Sequence, residues 1–134
     1  MLCSKTGLIE MKILVKVGDI EREIELVDCK TSRAILEKLP IKGYANRWGD
    51  EIYFTAPIDF DEEENSRDVV ELGDVAFWIP GKAICIFFGK TPVSDDRIRP
   101  ASPVNVFGRV KGDIEAFKSV KDGEEIFLYM KGKY

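Results

Sequence analysis

The chain of 134 residues contains no histidine and no glutamine. Without histidine, a Ser-His-Asp triad, a Cys-His pair and a histidine-ligated metal are all excluded within this chain. Any chemistry must then fall to Asp, Glu, Lys, Arg, Tyr, Cys, Ser or Thr, or to simple positioning. Cysteine is scarce: Cys3, Cys29 and Cys85 are odd in number and form no CxxC pair. That argues against a disulfide framework or a zinc finger and suits a reducing cytoplasm. No apolar run approaches membrane-spanning length. The opening MLCSKTGLIE lacks the charged start and long apolar region of a signal peptide. Basic residues are outnumbered, giving a net charge of −4, so the counterion-displacing face of a general nucleic-acid binder is not expected. Internal repeats and low-complexity segments are also missing.

What the chain does have is short alternating apolar runs. Met11, Ile13, Val15 and Val17 alternate with polar neighbours as far as Gly18-Asp19. Ile20 to Leu26 then alternates with Glu21, Glu23 and Glu25, as expected for a β-hairpin with one wet face. A helix is predicted over 31–39, capped by Thr31 or Ser32 and stopped by Pro40. A second hairpin is predicted from Tyr44–Trp48 through Gly49-Asp50 to Glu51–Thr55. Further strands are expected on either side of Pro80-Gly81, over 104–111 and over 124–131, with one helical turn near 113–117. Residues 1–10 read as a flexible lead-in and 11–134 as a single domain of a size that can bury its own core. About eight strands against one helix point to a mainly β fold, a sandwich or a closed barrel.

GDVAFWIPGKAICIFFG, residues 73–89, poses the sharpest question. Its second strand, Ala83 to Phe88, is apolar on both faces, whereas a half-buried strand would alternate. One face can fill the core. The other needs cover, from a ligand, from the acidic loop 57–66 (PIDFDEEENS) or from the proline-rich loop 90–103 (KTPVSDDRIRPASP). Cys85, in mid-strand, reads as a small hydrophobe. The carboxylates Asp59, Asp61, Glu62, Glu63 and Glu64 match no calcium loop and read as solvated. Gly81-Lys82 lacks the glycine spacing and the Ser or Thr of a phosphate-binding loop.

Three segments, NRWGDEIYF (46–54), GDVAFWIPGKAICIFFGKTP (73–92) and PASPVNVFGRV (100–110), resemble a family of small bacterial and archaeal proteins with a cyclophilin-like fold. The resemblance covers nearly all of the chain from Met11. It implies a closed eight-stranded barrel with helices plugging its ends. In true cyclophilins, which are peptidyl-prolyl isomerases, the substrate groove lies on the outer wall and uses an arginine, apolar and aromatic side chains, a glutamine, a tryptophan and a histidine. This chain has neither the glutamine nor the histidine. Arg47 stands on the segment that looks like the arginine-bearing strand. On this reading Arg47, Trp48, Phe54, Trp78, Phe88, Asn105 and Arg109 are the candidate groove residues, and Arg47 or Arg109 is the candidate donor to a twisting prolyl amide.

Three functional readings follow. The first is a binding module for a peptide or small molecule, the second an atypical prolyl isomerase, and the third a protein that dimerises through the same outer patch. No cofactor, metal, nucleic acid or membrane partner is expected, and the expected location is cytoplasmic.

Overall fold

The computed structural model describes residues 8–131. Leu8–Val17 (β1) and Ile20–Val27 (β2) form the first hairpin, with Val15 opposite Arg22 and Val17 opposite Ile20. The one helix, Lys30–Leu36 (α1), follows. Ile41–Tyr44 (β3), Asn46–Arg47 (β4) and Glu51–Thr55 (β5) come next. They lead to Ser66–Arg67 (β6), Asp74–Trp78 (β7), Ala83–Phe87 (β8) and Val104–Val110 (β9). After a 3-10 turn at Glu115–Ser119, Glu125–Met130 (β10) ends the described chain.

All pairings between these strands are antiparallel, in the order β3-β10-β1-β2-β9-β7-β8-β5-β4, with the short β6 set against β9. The two ends of this row, β3 and β4, are neighbours in the chain. The sheet therefore curls round on itself into a nearly closed barrel with one seam. The fold is the mainly β barrel expected, with nine strands in the row rather than eight, because the segment 41–55 splits at Ala45 into β3 and the β4–β5 hairpin. The predicted lead-in lies largely outside the described residues, and β1 already begins at Leu8.

Alternation explains the core. Ile13, Val15, Val17, Ile24, Leu26, Ile52, Phe54, Val75, Phe77, Ile84, Ile86, Phe107, Ile126 and Leu128 all turn inward and are buried. Each such side chain contributes roughly 1.5–3 kcal/mol on leaving water. Ile35 of α1 and Phe117 of the 3-10 turn join the same cluster.

The helix begins one residue before the predicted start and ends three residues short of Leu39. Thr31 and Ser32 lie inside the helix and not at its N-cap, but Ser32 closes a capping box, its Oγ accepting the Cys29 N–H at 3.2 Å. Cys29 is the N-cap residue. The free N–H groups of Lys30 and Thr31 instead donate to the Glu64 carboxylate, at 3.1 and 2.8 Å. Glu64, expected to be solvated, is only 3% exposed, whereas Asp59, Asp61, Glu62 and Glu63 face solvent.

The second apolar face of β7 and β8 is covered by the chain itself. Ala76, Cys85 and Phe87 form a separate outer cluster with Val70, Val104 and Val106, against which Tyr53, Trp78 and Ile98 pack. The loop between β8 and β9 crosses this face. It is tied down by the backbone bridge of Val70 to Ile98 (N–H to O, 3.0 Å). The acidic loop 57–66 contributes no residue to this cluster.

Candidate functional site

The cover is incomplete. Between the loop and the barrel wall a cavity of about 130 Å³ remains, lined by Trp48, Glu51, Tyr53, Trp78, Cys85, Pro100, Ala101 and Val104. Strand parity places most of these side chains. Ile52 and Phe54 of β5 enter the core, so Glu51 and Tyr53 turn outward. Tyr53 lies opposite Cys85 on β8, and Cys85 lies opposite Ala76 on β7.

Trp48 is set by the tight turn that precedes β5. Trp48 and Glu51 exchange backbone hydrogen bonds (2.9 and 3.2 Å), and Asp50 N–H donates to Lys90 O (2.9 Å). Gly49 makes that turn with φ of +61°, and a side chain there would come within 2.8 Å of Lys90 O and 2.9 Å of Pro92. Only glycine satisfies both the left-handed backbone and the close approach.

Trp78 is held on two sides. Its indole N–H donates to Ser102 Oγ at 2.7 Å, and its six-membered ring lies on Gly81, where a Cβ would come within 2.4 Å of it. Pro100 and Ala101 are brought to the rim by the loop, which is stitched to itself. Thr91 and Arg99 N–H groups both donate to Ser94 Oγ (2.9 and 3.0 Å), and Arg99 pairs with Asp95 at 3.0 Å.

The polar group of the cavity is Glu51. It is 5% exposed, and its Oε1 finds no hydrogen-bond partner among the described residues. Burial pushes its carboxyl up to about 7, and the neighbouring Cys85 thiol pulls it back only in part. Burial also drives the Cys85 thiol well above its ordinary range, reinforced by the Glu51 charge, so Cys85 is a protonated, unreactive thiol.

The sequence-predicted groove residues do not converge on one place. Trp48 and Trp78 line the cavity. Phe54 and Phe88 lie inside the barrel, 0% and 1% exposed. Arg47 lies beneath the β4–β5 turn, with its guanidinium 5.0 Å from the Phe88 ring centroid. There it donates to Gly49 O (3.0 Å), Lys118 O (3.0 Å) and Val120 O (2.8 Å) and pairs with Asp50 (3.2 Å). Asn105 is buried beside α1, accepting from Glu64 N–H (3.0 Å) and donating to Glu62 O (2.8 Å). Arg109 is on the surface, paired with Glu71 and Asp74 (3.4 and 3.3 Å).

Sequence reasoning passed over Glu51 and Tyr53. The parity of β5 holds the missing signal: Ile52 and Phe54 are obvious core residues, so Glu51 and Tyr53 must share the face opposite the core. Among the described residues no three His, Cys, Asp or Glu side chains converge as a metal site, and no helix is long and apolar enough to cross a membrane.

Comparison with known proteins places the chain. Residues 11–129 match the family described as Cyclophilin-like. The solution structure of a hypothetical protein from Archaeoglobus fulgidus is similar at a TM-score of 0.79 and 55% identity, over 94% of this chain and 98% of that one. The structure of McbB in complex with tryptophan shares the fold at a TM-score of 0.64 and 16% identity, over 91% of this chain and 45% of that one. No match was found among curated proteins. With a barrel of matching topology and a family match across most of its length, this chain belongs to the cyclophilin-like family.

Proposed function

We propose that this protein is a binding module, and that its site is the outer-wall cavity between β5, β7, β8 and the loop that leads into β9. One observation carries this reading: a buried glutamate, one of whose carboxyl oxygens has no partner among the described residues, lines a cavity walled by two tryptophans and a tyrosine. An unpaired buried polar atom is costly, by about 1–3 kcal/mol, so each one calls for an explanation, of which a bound partner is one. A concave, mostly apolar lining with one placed polar group is the usual character of a small-ligand site. At about 130 Å³ the cavity is smaller than the roughly 300 Å³ and above of sites for drug-sized molecules. It suits a small molecule or a single side chain, not a length of peptide.

Prolyl isomerisation gains no support from this geometry. Arg47 uses its N–H groups on the 3-10 turn and the β4–β5 turn, and Arg109 sits with Glu71 and Asp74 away from the cavity. A short-peptide assay is expected to show a rate equal to the uncatalysed one.

The test of binding is a fragment screen read by amide and indole NMR shifts. Small aromatic fragments are expected to move the signals of Trp48, Tyr53, Trp78 and Cys85 together and saturably. Shifts scattered over the surface, or none at millimolar fragment, would overturn the reading.

A further inference from the structure

We propose that the ligand of this cavity is a small hydrophobic amine, its ammonium group donating to the Glu51 carboxylate and its apolar part held between Trp48, Tyr53 and Trp78. The inference rests on the binding reading above and adds the chemical class of the ligand.

Three observations lead there. The first is the unpartnered Oε1 of a carboxyl that is 5% exposed and lines the cavity. It can be satisfied by a hydrogen-bond donor, and best by a charged one, since charge-assisted bonds are about twice as strong as neutral ones. The second is what surrounds it. The lining has no lysine or arginine, and the titratable groups facing Glu51 there are Tyr53 of its own strand and Cys85 of β8. Cys85 is buried, and its Sγ–H has two acceptors in reach, Ala83 O at 3.9 Å and the Glu51 carboxylate, so it offers at most one weak, neutral donor. Among the described residues no cation lines the cavity beside the carboxylate, so a positive charge that pairs with its ionised form comes from a guest. The third is the wall. Three aromatic side chains present electron-rich surfaces, which attract cations by about 0.5–2 kcal/mol each according to desolvation. A ligand anion would meet both these rings and Glu51 and be repelled. A divalent metal would find a single carboxylate and a protonated thiol, too few ligands for a stable site. Pro100, Ala101 and Val104 complete an apolar rim, which favours an amine carrying a ring or a branched alkyl group over a bare ammonium ion.

The two tryptophans of the chain both line the cavity, so intrinsic fluorescence reports on the site alone. Benzylamine is titrated against the full chain, with benzyl alcohol as its neutral counterpart, benzoate as the anion and Nα-acetyl-lysine amide as the side-chain form of the same ammonium. Benzylamine is expected to bind at least about tenfold more tightly than benzyl alcohol at pH 8. Its affinity should fall about tenfold per unit as the pH drops below about 7, where Glu51 takes up its proton. Glu51→Gln should reduce the preference for amine over alcohol to about one. Tighter binding of Nα-acetyl-lysine amide than of benzylamine would support the ammonium site and assign its source to a protein side chain.

Equal binding of benzylamine and benzyl alcohol to the wild-type chain overturns the amine assignment while leaving a binding cavity in place. Retention of the amine preference in Glu51→Gln does the same. If none of the four probes alters the fluorescence, the binding reading falls and takes the amine with it. The pH profile and the amine-to-alcohol ratio are measured on the unmutated protein, so the outcome does not depend on the variant folding.

Discussion

Two buried glutamates, thirteen positions apart, sit in opposite circumstances. At the start of α1, Glu64 accepts from the Lys30 N–H, the Thr31 N–H and the Thr31 hydroxyl. Burial alone would raise its pKa, but these bonds more than offset it, and the Glu64 carboxyl lies below its ordinary range. On the outer wall, Glu51 is buried to a similar degree, yet among the described residues its Oε1 has no partner, and its pKa is pushed up to about 7. Burial is common to both. Satisfaction of the carboxylate decides whether a buried acid is a structural clasp or an open binding group.

The most severe way to break this contrast is at the clasp. Glu64→Ala leaves two helix N–H groups and a buried threonine hydroxyl without their acceptor and is expected to destabilise the protein by about 3 kcal/mol. Urea unfolding measures it. A loss below about 1 kcal/mol would mean that water or Asn105 replaces the carboxylate.

The pH dependence sharpens it, because the two acids act with opposite sign. Glu64, with a folded pKa below the unfolded value, contributes stability that is present above the unfolded pKa and lost as the pH falls through the folded one. Glu51, with a folded pKa of about 7 against 4.5, costs stability that is absent below about 4.5, grows up to about 7 and is constant above. The full cost is about 3 kcal/mol at roughly 1.4 kcal/mol per unit. Glu51→Gln should therefore equal the wild type near pH 4 and exceed it by up to that amount at pH 8. A gain independent of pH would show that the effect is not ionisation.

The smallest effect concerns the wall beside Glu51. Gly81→Ala forces the Trp78 ring off its seat, with an expected loss of about 1 kcal/mol and a red shift of tryptophan emission as the ring gains water. An unchanged spectrum would show that Gly81 does not position Trp78.

Most of the barrel was legible in the chain, because alternation such as Ile13-Val15-Val17 or Ile24-Leu26 reports directly which residues face inward. The two-sided apolarity of Ala83–Phe87 correctly required an outer cover. The identity of that cover was not legible: Ile98 and Pro100 sit among charged and small residues, and long-range ties, the bridge to Val70 and the Trp78–Ser102 bond, bring them over the wall. Glu64 was hidden by its neighbours, since one buried member of an Asp-Glu run carries no local mark. Of the candidate groove, the aromatic residues on an outward parity, Trp48 and Trp78, reached the cavity. Phe54 and Phe88 share the inward parity of their strands. Arg47 and Asn105 are occupied by backbone groups that lie far away in sequence, a long-range fact that spacing does not encode.

The loop over the outer wall is knotted to itself through Ser94 and Thr91 and tied down at a few points, the Val70–Ile98 bridge, the Trp78 indole on Ser102 and the Asp50 N–H on Lys90 O. A roof built in this way can be rebuilt without touching the house. Substitutions at Pro100 and Ala101 are expected to alter the cavity lining while the barrel beneath keeps its packing. The loop's share of the cavity lining is thus free to vary while the barrel's shape is kept.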